Sequence, residues 1–169
     1  MKAAEIKQKQ SQLKESYRTD PNSAIKSLVA KGVVDLDGLA CNIQQPTFFA
    51  PAGMHEAGGG NGSFACPVEI MLAGLVSCAG VTFAAVASAM HLDIKACTVS
   101  AIGTIDFCGT LAVNRDAPVE LTKIQLDFRI DSPEDTEKIE KLLELTHRYC
   151  VVHRTLENPP EIQVTTSSI

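Results

Sequence analysis

Ile70 to Met90 reads IMLAGLVSCAGVTFAAVASAM, and the fold turns on what this stretch is. It carries no charged side chain over about 21 residues, long enough to cross a bilayer. Two features point instead to the buried centre of a soluble protein, with no membrane partner. Alanine, glycine, serine, threonine and cysteine dilute its hydrophobicity. Its flanks, Glu69, His91, Asp93 and Lys95, form no basic cluster of the kind that orients a span. A helix apolar on every side suits the middle of a packed domain equally well. Gly74, Cys78 and Thr82 recur at i, i+4 and i+8 on one face. Such small residues let another helix backbone approach closely, within one chain or across a dimer.

Upstream, Pro67 opens this helix, and a glycine-rich loop over residues 50–66 precedes it. From Ser27 to Ile43 the chain has strand chemistry, and Asp35-Leu36-Asp37-Gly38 marks a hairpin turn. Asp20-Pro21 reads as a helix start, and the polar residues before it as an exposed helix. This divides the chain into an N-terminal helical arm, 1–26, and one domain, 27–169. Downstream, Cys97 to Ile130 returns to strands. Ile124, Leu126, Phe128 and Ile130 alternate with Gln125, Asp127 and Arg129, the period of a half-buried antiparallel strand. Ser132-Pro133-Glu134-Asp135 signals a second helix with Ser132 as cap and Pro133 at its first position. Asn158-Pro159-Pro160 stops the helical region, and Glu161 to Thr166 reads as a last short strand. Segregated strands and helices predict an α+β fold with antiparallel sheet.

The chain has 169 residues and six cysteines, and its formal charge is −5. An acidic protein lacks the basic surface that nucleic acid requires. A domain this long buries enough surface to fold without disulfide staples. The polar N-terminus, Met1-Lys-Ala-Ala-Glu-Ile-Lys, has no apolar core of a secretory signal, so a reducing cytoplasm is expected. There, cysteines are buried thiols, metal ligands or catalytic groups. No Cys-x2-Cys pair supports a structural zinc. No Gly-x-Ser-x-Gly elbow is present, and Gly58-Gly59-Gly60-Asn61-Gly62 lacks the frame of a phosphate loop.

Cys41, Cys97 and Cys108 stand in predicted strands and read as small buried hydrophobes. Cys66 precedes Pro67 at the mouth of the long helix, where the helix N-terminus could activate it. Cys78 lies among small residues in mid-helix. Cys150 sits within His147-Arg148-Tyr149-Cys150-Val151-Val152-His153-Arg154. Positive charge favours thiolate, so on charge grounds Cys150 is the expected activated cysteine. His147, Cys150 and His153 find no further ligand nearby to complete a metal set.

Two stretches together resemble a known family. The first is Pro67-Val-Glu-Ile-Met-Leu-Ala-Gly-Leu-Val-Ser-Cys78-Ala-Gly-Val-Thr, the second Tyr149-Cys150-Val-Val-His-Arg-Thr-Leu156. They resemble the osmotically inducible protein C (OsmC) family, which includes the organic hydroperoxide resistance proteins. The family pattern has Pro and Glu opening a long apolar helix that bears a cysteine. A second cysteine follows far downstream in a Cys-Pro-x-Ser-Arg-like segment. Here the gap is 72 residues (150 − 78).

The resemblance implies an OsmC-like fold, with antiparallel sheets wrapped around long central helices in an intertwined homodimer. It implies reduction of hydroperoxides without metal, flavin or haem. Cys78 would be the peroxidatic thiolate and Cys150 the resolving thiol, with an external dithiol as reductant. Glu69 would take the place of the glutamate that orients the family's activating arginine. This chain departs from the pattern in three places. Its hairpin turn at residues 35–38 carries no arginine, which leaves Arg148 or Arg18 to supply the charge. Val68 intervenes between Pro67 and Glu69, a rotation of about 100° on a helix. Val151 replaces the proline after the second cysteine. An apolar helix with no such charge would raise the Cys78 pKa. The alternative function is a non-catalytic relative that binds a small apolar or thiol-reactive molecule in the dimer groove.

Overall fold

The computed structural model describes Thr19 and residues 32–35, 40–43, 51–111 and 114–167. The expected arm, the turn at 36–39 and the Cys41 side chain therefore lie outside the described residues, Thr19 excepted. Three short strands form an antiparallel sheet in the order β1 (Gly32–Asp35), β2 (Ala40–Ile43), β3 (Pro51–Gly53). Asp35 pairs with Ala40, which is the hairpin expected from the sequence. A 3-10 turn over Glu56–Gly58 follows, and then the glycine loop. Gly59 and Gly62 take φ of +96° and +70°, conformations glycine adopts freely. A Cβ on Gly60 would lie 1.7 Å from the Met54 carbonyl oxygen, so that turn has no room for a side chain.

Helix α1 spans Pro67–Ala89. Proline at its first position costs no hydrogen bond, because that N–H would be unpaired anyway. It ends where the His91 N–H bonds Ser88 O at 3.2 Å and the Leu92 N–H bonds Ala87 O at 3.1 Å. His91 is left-handed at φ +57°, and these two bonds close a Schellman motif.

Strand β4 (Ala96–Ile105) pairs antiparallel with β5 (Leu121–Asp131), with one register shift at Thr104/Ile105. Cys97, Val99, Ala101 and Gly103 turn inward at period two, as do Ile124, Leu126, Phe128 and Ile130. Between the strands lies a short helix, α2 (Phe107–Thr110). Cys108 is exposed on this helix, not buried in a strand, because the Asp106 side chain accepts from the Cys108 N–H at 2.8 Å and starts a turn.

Helix α3 is Thr136–Tyr149 and α4 is Val151–Glu157. The cap of α3 is Asp135, which accepts from the Lys138 N–H at 2.9 Å, and not Ser132. The Ser132 hydroxyl instead donates to the Asp93 carbonyl at 2.8 Å, tying this corner to the loop before β4. Glu161 to Thr166 forms no strand within the chain. Ile162 and Val164 are 82% and 86% exposed, and among the described residues no strand pairs with this segment.

One face of α1 makes the core. Leu75, Ala79, Phe83 and Ala87 are buried at four-residue spacing. Leu75 and Ala79 pack with Cys150, Val99, Leu126 and Val152, and Phe83 and Ala87 pack with Leu142. The other face is bare: Val81 is 72% exposed, and a Cβ on Gly74 would meet nothing within 4 Å.

Candidate active site

The site forms where α1 crosses the joint between α3 and α4. Cys150 is at once the last cap of α3 and the first cap of α4, with φ −72° and ψ 106°. Its N–H still bonds Thr146 O at 2.9 Å, and its carbonyl already accepts from Arg154 N at 3.0 Å. The chain thus bends at Cys150 without losing helical bonding on either side. Ala79, small and buried, lets this bend press against α1. The result brings Cys150 against Cys78, one turn of α1 on from Leu75 and Gly74.

Both thiols are free. Cys78 packs against the cluster that buries Cys150 with Leu75 and Ala79. The first N–H groups of a helix have no partner inside it. The N–H groups of Val151, Val152 and His153 at the start of α4 favour the thiolate forms, Val152 and Val151 that of Cys78 and His153 and Val152 that of Cys150. Burial pushes the Cys78 thiol up. The Val152 N–H, the Cys150 thiol and the Val151 N–H outweigh that and hold Cys78 below the ordinary cysteine value. Cys150 goes the other way. It is only 1% exposed; burial raises its pKa, and the neighbouring Cys78 adds to the rise while the His153 N–H opposes it.

This reverses the order expected from sequence charge. The arginines beside Cys150 do not face it. The Arg148 guanidinium lies over the exposed ring of Tyr149, 5.6 Å from its centroid, and Arg154 pairs with Glu157 at 2.6 Å. It also removes the raised pKa expected for Cys78. The stabilising groups are backbone amides, which no reading of side-chain charge reveals. The signal in the sequence was the bend itself, a cysteine followed at once by two β-branched residues.

Glu69 caps α1. Its carboxylate accepts from the Cys66 N–H at 3.2 Å, and the Cys66 side chain accepts from the Glu69 N–H. Cys78 lies about 13 Å further along the axis, so Glu69 does not join the thiol pair. His147 and His153 stack on each other, with ring centroids 5.0 Å apart.

An unexpected cavity of about 1030 Å³ opens beside the first half of α1, lined by Met54, Cys66, Leu72, Val76, Ile105 and Leu121 among others. Sequence reasoning missed it because its walls come from the glycine loop, α1 and β4, which only the fold brings together.

The profile of the OsmC-like protein family matches residues 60–165, more than half of the chain. No curated protein matches. Solved structures share the fold at low identity. An OsmC-like protein from Mycoplasma pneumoniae is 19% identical, with TM-score 0.66, covering 79% of this chain and 89% of that one. An organic hydroperoxide resistance protein OsmC from Legionella pneumophila is 15% identical, with TM-score 0.64, covering 80% and 92%. An organic hydroperoxide resistance protein from Elizabethkingia anophelis is 18% identical, with TM-score 0.62, covering 79% and 93%. With its two cysteines meeting at the α3–α4 bend of an α+β fold, this chain belongs to the OsmC-like protein family.

Proposed function

We propose that this protein is a thiol-dependent peroxidase that reduces organic hydroperoxides in oxidative-stress defence. The observation that carries the reading is Cys78 packed against the buried Cys150, with the Cys78 pKa lowered and the Cys150 pKa raised. The Cys78 thiolate attacks the O–O bond of the hydroperoxide. The alkoxide leaves and takes a proton to become the alcohol, and Cys78 becomes a sulfenic acid. Cys150 then attacks the sulfenic sulfur, its proton leaves with the hydroxyl as water, and a Cys78–Cys150 disulfide remains. An external dithiol reduces that bond by exchange. Family membership and the organic hydroperoxide resistance proteins among the structural neighbours support a peroxide-related role.

Glu69 acts here as a positioning residue that fixes the start of α1. Arg148, turned onto Tyr149, is available to the surface rather than to Cys78. The working unit is a homodimer. The exposed side of α1 around Gly74 and Val81 and the exposed segment at Ile162 and Val164 are the surfaces a second copy would cover. The described cysteines are all unbridged, which suits a reducing cytoplasm.

The apolar cavity favours a second reading, a relative that binds a small apolar molecule without turnover. Peroxide consumption with a dithiol reductant separates the two. The peroxidase reading expects wild type active and Cys78→Ser inactive. Equal rates in wild type, Cys78→Ser and Cys150→Ser would overturn it.

A further inference from the structure

His147 lies one turn before the Cys150 bend and His153 one turn after it. Their rings stack across the bend, centroids 5.0 Å apart and planes 15° apart. Phe128 of β5 supports the His147 ring from the sheet side, at 6.0 Å and 54°. His153 Nδ1 is buried and has no hydrogen-bond partner. The nearest acid, Glu157, stands 3.6 Å away and is already held by Arg154 at 2.6 Å. A buried ring nitrogen left unpaired is costly, so the ring's position must be favoured by something else. The stack and the Phe128 edge supply that.

We infer that His147 and His153 are positioning residues for the thiol pair, acting as a clamp that holds the first turn of α4 at a fixed angle to α3. The inference rests on reading Cys78 and Cys150 as the reactive pair. The lever is the backbone of α4. Val152 of this turn packs with Cys78 against Leu75, Ala79 and Cys150, so any tilt of the turn changes the surroundings of both sulfurs.

The clamp is sensitive to protonation. Two charged imidazoles at stacking distance repel. Burial and the facing His153 hold His147 below the ordinary histidine value, against the pull of Glu157. The other charged groups around the pair are Glu144 and Arg148 from α3 and Arg154 and Glu157 from α4, which line a cleft of about 620 Å³. β5 presents the uncharged Phe128, and α1 presents Cys78, packed against Cys150.

The test follows iodoacetamide alkylation of Cys78 by peptide mass spectrometry, on the full chain, from about pH 5 to about pH 9. It compares wild type with His153→Ala, which removes the stack, and His153→Phe, which keeps a ring that cannot titrate. At neutral pH, His153→Ala should be slower by about three-fold or more, and His153→Phe close to wild type. Toward the acid end, wild type should lose rate more steeply than one thiol ionisation allows, and His153→Phe should not. His153→Ala matching wild type throughout would overturn the clamp, as would equal acid slopes in wild type and His153→Phe. If circular dichroism shows His153→Ala unfolded, the slope comparison with His153→Phe decides alone. These profiles do not depend on peroxide turnover. A protein that shows them but consumes no peroxide keeps the clamp and loses the peroxidase reading.

Discussion

Cys78 packs against the buried Leu75, Ala79 and Cys150, and the two thiols are shifted in opposite directions, Cys78 below the ordinary cysteine value and Cys150 above it. Cys150 is buried against Leu75 and Ala79, where a charge would be unsolvated. Cys78 receives N–H groups that replace the water it lost. One small core thus shifts two chemically identical thiols in opposite directions.

Alkylation should therefore show Cys78 titrating below the ordinary cysteine value and Cys150 above it. Cys150→Ala removes a donor to Cys78, so the Cys78 midpoint should move up. An unchanged or lower midpoint would refute the hydrogen-bond account. The linkage to stability has a definite sign. The lowered Cys78 pKa contributes stability that is full above the unfolded value and lost as pH falls through the folded one. The raised Cys150 pKa does the reverse, its contribution being lost as pH rises through the folded value.

Stoichiometric alkyl hydroperoxide should produce a Cys78–Cys150 disulfide in the wild type, visible as a cross-linked peptide pair by mass spectrometry. In Cys150→Ser the oxidised Cys78 has no resolving partner. A sulfenic-acid trap such as dimedone should then label Cys78, and it should label nothing at either position in Cys78→Ser. Labelling of Cys150 in Cys78→Ser, at the wild-type rate of oxidation, would exchange the two roles.

Ala79 is the spacer that admits Cys150 to α1. Ala79→Leu should cost about 1–3 kcal/mol by overpacking. It should also slow disulfide formation, because the bend is pushed away from Cys78. Leu142→Ala, in the second cluster, should cost about 2–5 kcal/mol in urea unfolding. It should leave the oxidation rate per folded molecule unchanged. Equal effects of both variants on oxidation would mean that the spacing set by Ala79 is immaterial.

Much of this was legible in the sequence, and the failures share a cause. The apolar run at residues 70–90, the hairpin around Asp35 and Gly38, and the alternation from Ile124 to Ile130 are local patterns with local physics. Cys78 and Cys150 were legible as a pair only through the family resemblance of the two stretches that carry them. The side on which a charge lies was not. Arg148 and Arg154 flank Cys150 in the chain, yet both side chains turn outward, onto Tyr149 and Glu157. Ser132 and Asp135 both suit a helix cap, and the choice fell to Asp135 because Ser132 bonds across to Asp93. The segment Glu161 to Thr166 alternates like a strand, but a strand needs a partner, and none of the described strands pairs with it.

Val151 offers the most direct test of how Cys78 is stabilised. The family pattern suggested by the sequence has proline after the second cysteine and an arginine in the hairpin turn, and this chain has neither at those positions. Val151 retains an N–H that proline would lack, and that N–H is one of the donors to Cys78. Val151→Pro should be structurally mild. The position is the first of α4, where proline fits, and Cys150 before it already has the extended backbone that a proline requires. Helix content and melting temperature should hold, while the Cys78 midpoint moves up and alkylation at neutral pH slows. Val151→Ala, which keeps the N–H, should behave as wild type. If Val151→Pro alters nothing, the Val151 N–H does not stabilise the Cys78 thiolate.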